Sequence, residues 1–319
     1  MTASDSRREK DKKDIILLME GGAMRGVFGA GVVTAFQEAN IYPRVHSIYA
    51  SSAGAHNAAF FLSHQTRLGS SIYYEDLAGR SFIHRRRFAA LLVHLVAGLM
   101  RCTSGKKKQA DVVEDLDYLA HVEEKVKRLD HKRLTRSAIP LHVQVCDART
   151  GKTRYLDGRR QTIQILMASS DIIPLYPRAV RVGKGQYIDP VMVGEKLPYE
   201  EIARKHHDKT IVAIVNEPVR KGAIVSELSE LIMLAILFLW NAKLAVWRAR
   251  ALMRHLAQRK ARKRENVLYT VNEKPYGALC TDKKKLMETY QRGIRKGKKV
   301  LRALGKTRGG LSRKAAKSI

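Results

Sequence analysis

Five consecutive apolar residues, Ile15, Ile16, Leu17, Leu18 and Met19, interrupt a charged stretch and stop at Glu20 and two glycines. A short unbroken apolar run has no polar face to offer water, so it predicts a parallel strand covered on both sides. After the glycine loop Gly21-Gly22-Ala23-Met24-Arg25-Gly26, residues 27–39 carry helical spacing, with Val27, Val32, Val33 and Phe36 as core positions. The pattern then repeats. Ser47-Ile48-Tyr49-Ala50 predicts a strand, Ser51-Ser52-Ala53-Gly54 a tight turn, and 55–63 a helix of small residues. Two adjacent strand-turn-helix units imply a parallel sheet. Leu141, Val143 and Val145, alternating with more polar neighbours, then Tyr187-Ile188-Asp189 and 210–215, supply further strands, while 150–158 reads as a hairpin and its exit. The fold class is α/β.

The remaining pattern is helical. Residues 88–100 predict an apolar helix flanked by Arg85-Arg86-Arg87 and Lys106-Lys107-Lys108, and a charged helix is expected around 112–128. Residues 225–264 read as helix throughout, apolar at 231–240 and basic at 248–264. Ten apolar residues fall short of the roughly 20 that span a bilayer, so a core or membrane-surface helix is expected there. The organisation follows: a charged leader at 1–13, an α/β domain at 14–222, a helical basic region at 223–304 packing on that domain or on a membrane surface, and a disordered basic tail at 305–319. No internal repeat is present.

Composition sharpens this picture. Sixty Lys and Arg against thirty acidic residues give a net charge of +30, yet 45% of the 319 residues are hydrophobic, enough to bury a core and to exclude a disordered polycation. From 241 to 319 there are 24 Lys or Arg against four acids, so this region should seek a polyanion, membrane surface or nucleic acid. Few aromatics interleave with the basic residues and no nucleic-acid module is recognisable, so nucleic acid is not the expected partner. Cys102, Cys146 and Cys280 are far apart and group with no histidines as a zinc site would. Together with a polar N-terminus lacking the apolar core of a secretion signal, this points to reduced thiols, no metal and a cytoplasmic location.

The candidate chemistry lies in the two loops. Ala50-Ser51-Ser52-Ala53-Gly54 approximates G-x-S-x-G, the strand-to-helix elbow that lifts a serine hydroxyl clear of the backbone. The glycine loop lies 30 residues upstream on the preceding strand, where its N–H groups and the following helix N-terminus form a nest for an anion. In acyl transfer that anion is the tetrahedral oxyanion. The loop fits neither G-x-G-x-x-G nor a phosphate loop ending in G-K-[ST], which argues against nucleotide binding. A histidine base is an alternative: His56 lies four residues after Ser52, and His206, His207 and His255 come later. On an elbow helix, however, a histidine is more often a packing residue.

Glu20-Gly21-Gly22-Ala23-Met24-Arg25-Gly26-Val27 followed by Ser51-Ser52-Ala53-Gly54-Ala55 resembles the patatin-like phospholipases. The resemblance implies a three-layer α/β/α fold, a mainly parallel central sheet and a catalytic domain over 14–222. It also implies a lipid acyl hydrolase that uses a Ser-Asp dyad without histidine, metal or organic cofactor. Ser52 would be the nucleophile, with Gly21, Gly22, Ala23, Met24, Arg25 and Gly26 as the oxyanion loop and Ala50, Ser51, Ala53 and Gly54 as the elbow. Two aspartates compete for the second catalytic place. Asp157 precedes a glycine but sits at the hairpin exit. Asp189 follows an apolar strand and precedes Leu197-Pro198-Tyr199, the family's order, and Ser169-Ser170-Asp171-Ile172-Ile173-Pro174 upstream is similar to the family's A-S-x-x-x-P, so Asp189 is the choice.

The chain departs from the family pattern at Ala50, where the elbow has glycine, and at Pro190-Val191, where two small residues follow the aspartate. These departures motivate a second reading, an inactive scaffold that binds anionic membrane lipid. The expected partners are a phospholipid or other fatty acyl ester, and an anionic membrane surface met by the basic C-terminal region from the cytoplasmic side. A low aspartate pKa would have to be raised by desolvation for Asp189 to act as base near neutral pH.

Overall fold

The computed structural model describes residues 13–79, 115–172, 176, 179–194, 197–216, 234, 238, 242–257 and 266–306. Its strands are β1 (Ile15–Met19), β2 (Val45–Ser51), β3 (Leu141–Asp147), β4 (Thr153–Asp157), β5 (Val180–Val182), β6 (Gly185–Ile188), β7 (Thr210–Val215) and β8 (Val267–Val271). The described helices are α1 (Val27–Glu38), α2 (Ala53–Leu62), α3 (Thr66–Ser71), α4 (Leu116–His121), α5 (His131–Thr135), α6 (Thr162–Ser170), α7 (Tyr199–Lys205), α8 (Ala242–Ala257) and α9 (Lys283–Lys306).

The strands form one sheet in the order β5-β6-β3-β2-β1-β7-β8, with β4 also paired to β3. Strands β3, β2, β1, β7 and β8 run parallel, whereas β4 and β6 meet successive parts of β3 antiparallel. β1 is central, and each of its five residues is buried because both faces are covered. Ile15, Leu17 and Met19 face a cluster with Phe28, Phe36, Ala58 and Phe61 of α1 and α2. Ile16 and Leu18 face Leu197, Ile202 and Ala203 around α7. Helices thus cover both faces, giving three layers.

The expected strands 15–19, 47–50, 141–146 and 210–215 all appear, extended by a few residues or unchanged, and the 150–158 hairpin is the β3/β4 pair. Within 223–304, expected as a helical basic region, the described residues include a strand as well as helices. Val267, Leu268 and Thr270 are buried in β8, a strand added parallel to β7. Its sequence, Val-Leu-Tyr-Thr-Val, is β-branched and aromatic, a strand preference outweighed in the sequence reading by the basic helical composition around it. α9 packs along α1 through Leu286, Tyr290, Val300 and Leu304. The two helices approach closely enough that a side chain at Gly293 would strike the Phe28 carbonyl and one at Gly31 the Tyr290 carbonyl. β8 and α9 are therefore part of the core.

The apolar segments at 88–100 and 231–240 fall outside the described residues, apart from 234 and 238, as do the leader through residue 12 and the tail from 307. Among the described residues, no helix is long and apolar enough to cross a membrane.

Candidate active site

β2 delivers the chain to Ser52, which stands at φ 50°, ψ −132° as the cap of α2. A non-glycine residue there stores roughly 1–3 kcal/mol of backbone strain, so its surroundings must hold it. The Ser52 N–H donates to Ser169 Oγ at 2.7 Å, and Ser169 Oγ donates to the Gln144 carbonyl at 2.7 Å. The Ser52 carbonyl accepts from the Ala55 N–H at 2.7 Å. Gly54 lets the first turn of α2 lie against the end of β1, since a Cβ there would fall 2.6 Å from the Glu20 carbonyl oxygen and closer still to that of Met19. Ala50 is fully buried, in register with Met19 and Val143, so its methyl is absorbed by the core. Ser51 and Ala53 on either side of Ser52 are buried as well.

The glycine loop passes directly over this serine. A Cβ on Gly21 would lie 2.7 Å from Ser52 Cβ and 3.4 Å from its Oγ. Gly22 adopts φ 138°, open to glycine, and Ala23 adopts the left-handed φ 48° that alanine normally avoids. Asn216, at the end of β7, fastens the loop: its Nδ2 donates to the Glu20 and Gly21 carbonyls at 2.7 and 3.0 Å, and its Oδ1 accepts from the Gly29 N–H at 3.1 Å. The Gly26 carbonyl accepts from Asn57 Nδ2 at 2.8 Å. Arg25 folds back, its N–H and Nε both directed to the Gly22 carbonyl, at 3.0 and 3.4 Å.

These bonds correct one expected donor. The Met24 N–H donates to the Ala278 carbonyl at 3.0 Å, so it is committed to the C-terminal segment rather than to an oxyanion. Among the described residues, the N–H groups of Gly22 and Ala23 have no acceptor.

Asp189 stands opposite the loop. Its side chain is hydrogen-bonded to that of Ser52, its Oδ1 accepts from the Val191 N–H at 2.8 Å, and only 2% of its surface is exposed. Burial pushes its pKa up to about 7, against the opposing pull of the Val191 and Ser52 hydrogen bonds. Its backbone, at φ −60° and ψ 130°, has the extended conformation favoured before proline. Pro190 then opens a short 3-10 turn, Pro190–Val193, closed by Gly194 at φ 72°. The missing proline N–H costs nothing at a first helical position, and the carboxyl keeps its bond to Ser52. From the C-terminal region, buried Arg248 of α8 donates to the Val191 carbonyl and braces the turn.

The competing Asp157 lies at the end of β4 and is held by Arg159 Nε and Nη2 at 2.9 and 3.0 Å, which keeps its carboxyl below the usual range. The rival base His56 also has other partners: Nδ1 meets Glu123 Oε1 at 2.7 Å and Nε2 meets Ser170 Oγ at 3.0 Å. His206 lies beside the Tyr49 hydroxyl, 3.3 Å away. A cavity of about 40 Å³ borders Ser52, with Phe60, Ile72, Leu77 and Leu119 forming its apolar wall and Ala23 at its edge. Among the described residues, no group of three or more His, Cys, Asp or Glu is placed to hold a metal ion.

Sequence reasoning missed Asn216, Glu123 and the anchoring role of Ser169. Asn216 carried a usable signal, a lone amide directly after an apolar parallel strand, at the carboxyl edge where α/β sheets build their sites.

A family model described as patatin-like phospholipase matches residues 17–201. Among solved structures, VipD from Legionella pneumophila matches at 12% identity and a TM-score of 0.43, over 92% of this chain and 67% of that one. A chain of the ExoU-SpcU complex from Pseudomonas aeruginosa, a type III secretion system assembly, matches at 13% identity and a TM-score of 0.36. That match covers 92% of this chain and about half, 52%, of the other. No curated protein matches.

Proposed function

Because the chain belongs to the patatin-like phospholipase family, we propose that it hydrolyses fatty acyl esters with Ser52 as nucleophile and Asp189 as its base. The reading rests on one observation above all: a buried carboxyl, lifted to about pKa 7, hydrogen-bonded to a serine side chain on a strained elbow beneath a glycine loop. Asp189 takes the Ser52 proton as Oγ attacks the ester carbonyl. The Gly22 and Ala23 N–H groups receive the oxyanion, where one preorganised donor is worth about 3 kcal/mol of barrier. Asp189 then gives the proton to the departing alcohol, and water activated by the same carboxylate releases the fatty acid. Phospholipid is the substrate class that the family suggests, and the wall beside Ser52 is apolar.

The basic C-terminal region brings this site to anionic lipid. α9 buries its apolar stripe on α1 and turns Lys283, Lys284, Lys285, Arg295, Lys298 and Lys299 outward beside exposed Met287. Each basic residue near an anionic surface contributes roughly 1 kcal/mol. Truncation is a poor test, since it removes β8 and α9 from the core. Replacing four of these lysines with glutamate should instead weaken binding to anionic vesicles without lowering the melting temperature; unchanged binding would exclude the surface role.

The dyad is tested by fatty-acid release from anionic phospholipid vesicles by wild type, Ser52→Ala and Asp189→Asn, with folding checked for all three. Loss in both variants is expected. Equal release by all three proteins, or none from wild type, would put the inactive lipid-binding scaffold first.

A further inference from the structure

Besides Ser52, the cavity is bordered by the polar side chains of His56, Asn57, Tyr73, Glu123 and Ser170. Three of these, Ser170, His56 and Glu123, come from α6, α2 and the wide turn Val122–Val126, and they are 7%, 6% and 1% exposed. They form an unbroken chain: Ser170 Oγ to His56 Nε2 at 3.0 Å, and His56 Nδ1 to Glu123 Oε1 at 2.7 Å. In the tautomer whose Nδ1–H donates to Glu123 Oε1, Nε2 is left to accept from the Ser170 hydroxyl. This is the geometry that identifies an activated nucleophile wherever it occurs: a hydroxyl on a base, and the base oriented by a buried acid.

Two details set the chain apart from an ordinary packing histidine. Glu123 Oε2 is buried with no hydrogen-bond partner among the described residues, so only one oxygen of the carboxylate is engaged, and it is the one that meets His56. Glu123 also sits in a π-type turn, where the Lys127 N–H reaches back five residues to the Val122 carbonyl at 2.7 Å. Such bulges concentrate at functional sites.

We propose that Ser170, His56 and Glu123 form a second acyl-accepting site that opens on the same cavity as Ser52. Ser170 Oγ attacks the carbonyl of a fatty acyl ester, forming the Oγ–C bond while His56 Nε2 takes the hydroxyl proton and Glu123 balances the imidazolium. Collapse of the intermediate breaks the ester C–O bond, and the Nε2 proton leaves with the alcohol. Water attack with His56 again as base returns free Ser170 and the fatty acid. Ala23, whose N–H has no acceptor among the described residues, borders the same cavity. The site stands without the dyad reading, since it uses neither Ser52 nor Asp189.

The test is alkyl fluorophosphonate labelling of the full chain, with modified peptides identified by mass spectrometry. In Ser52→Ala the adduct is expected on Ser170, forming about 100-fold more slowly once His56→Asn is added, the usual contribution of a general base. Ser52→Gly, whose backbone accepts φ 50° without strain, serves as a second background should the alanine variant misfold. No adduct on Ser170 in wild type or either background would overturn the proposal, whatever happens at Ser52. Equal Ser170 labelling with and without His56 would overturn the role of the imidazole.

Discussion

Two serines border one cavity at the same 7% exposure, yet the fold prepares them in opposite ways. In the proposed mechanism Ser52 draws on backbone and burial: a strained elbow, a glycine loop overhead, and a carboxyl whose pKa is raised by desolvation. In the proposed second site Ser170, at the end of α6, draws instead on side chains, an imidazole on its hydroxyl and an acid on the imidazole. The difference teaches what each device demands of the rest of the molecule. A carboxylate base needs a dry, exact loop, and here that loop is braced from outside the family-matched region, by Arg248 on Val191. A histidine base needs only two hydrogen bonds and tolerates a more ordinary backbone.

The comparison can be broken most severely at the first serine. Ser52→Ala should lower fatty-acid release by about 1,000-fold, and adding His56→Asn should remove what remains; release unaffected by the second change would separate Ser170 from the chemistry. Gly54→Ala drives a methyl into the Met19 and Glu20 carbonyls and should cost about 3 kcal/mol in urea unfolding. It should also displace Ser52 while sparing the bond between Ser170 and His56, so fluorophosphonate labelling should persist at Ser170 alone.

Asp189→Asn should slow Ser52 acylation about 100-fold and carry a stability signature of its own. With its folded pKa raised to about 7 from 3.8, the carboxyl's contribution to stability is fully present below pH 4 and is lost as pH rises to 7, because the buried site resists ionisation. Melting temperatures of wild type and Asp189→Asn should therefore diverge in favour of the asparagine variant between pH 4 and 7 and run parallel above that; curves parallel throughout would contradict the raised pKa. The smallest effect is expected at Ala23→Gly. It relieves the left-handed alanine at φ 48° and should stabilise by about 1 kcal/mol or less while leaving the donor loop intact.

Much of this was legible in the sequence, for identifiable reasons. The run Ile15–Met19 could be placed because an unbroken apolar strand between glycine and charge has few alternatives, and the elbow because Gly54 and the small residues around Ser52 leave room for backbone contact. The choice of Asp189 over Asp157 followed chain order, and the structure supplies a physical reason, the Arg159 fork that engages Asp157. Pro190 departs from the family pattern, yet at the first position of an aspartate-capped turn its fixed φ suits the chain. What stayed hidden depends on contacts distant in sequence. Glu123 meets His56 across 67 residues and Met24 meets Ala278 across more than 250, and no local pattern announces such pairs. β8 was obscured by the basic residues around it, whose charge says where the surface is but not which backbone lies beneath.

The central claim is that a buried aspartate, not a histidine, activates Ser52. It is tested most directly by the rate of fluorophosphonate adduct formation at Ser52 against pH, in wild type, Asp189→Asn and His56→Asn. A midpoint near pH 7 is predicted in wild type and His56→Asn, with a pH-independent and much slower rate in Asp189→Asn. A midpoint that survives in Asp189→Asn but vanishes in His56→Asn would contradict the account and transfer the role of base to the imidazole.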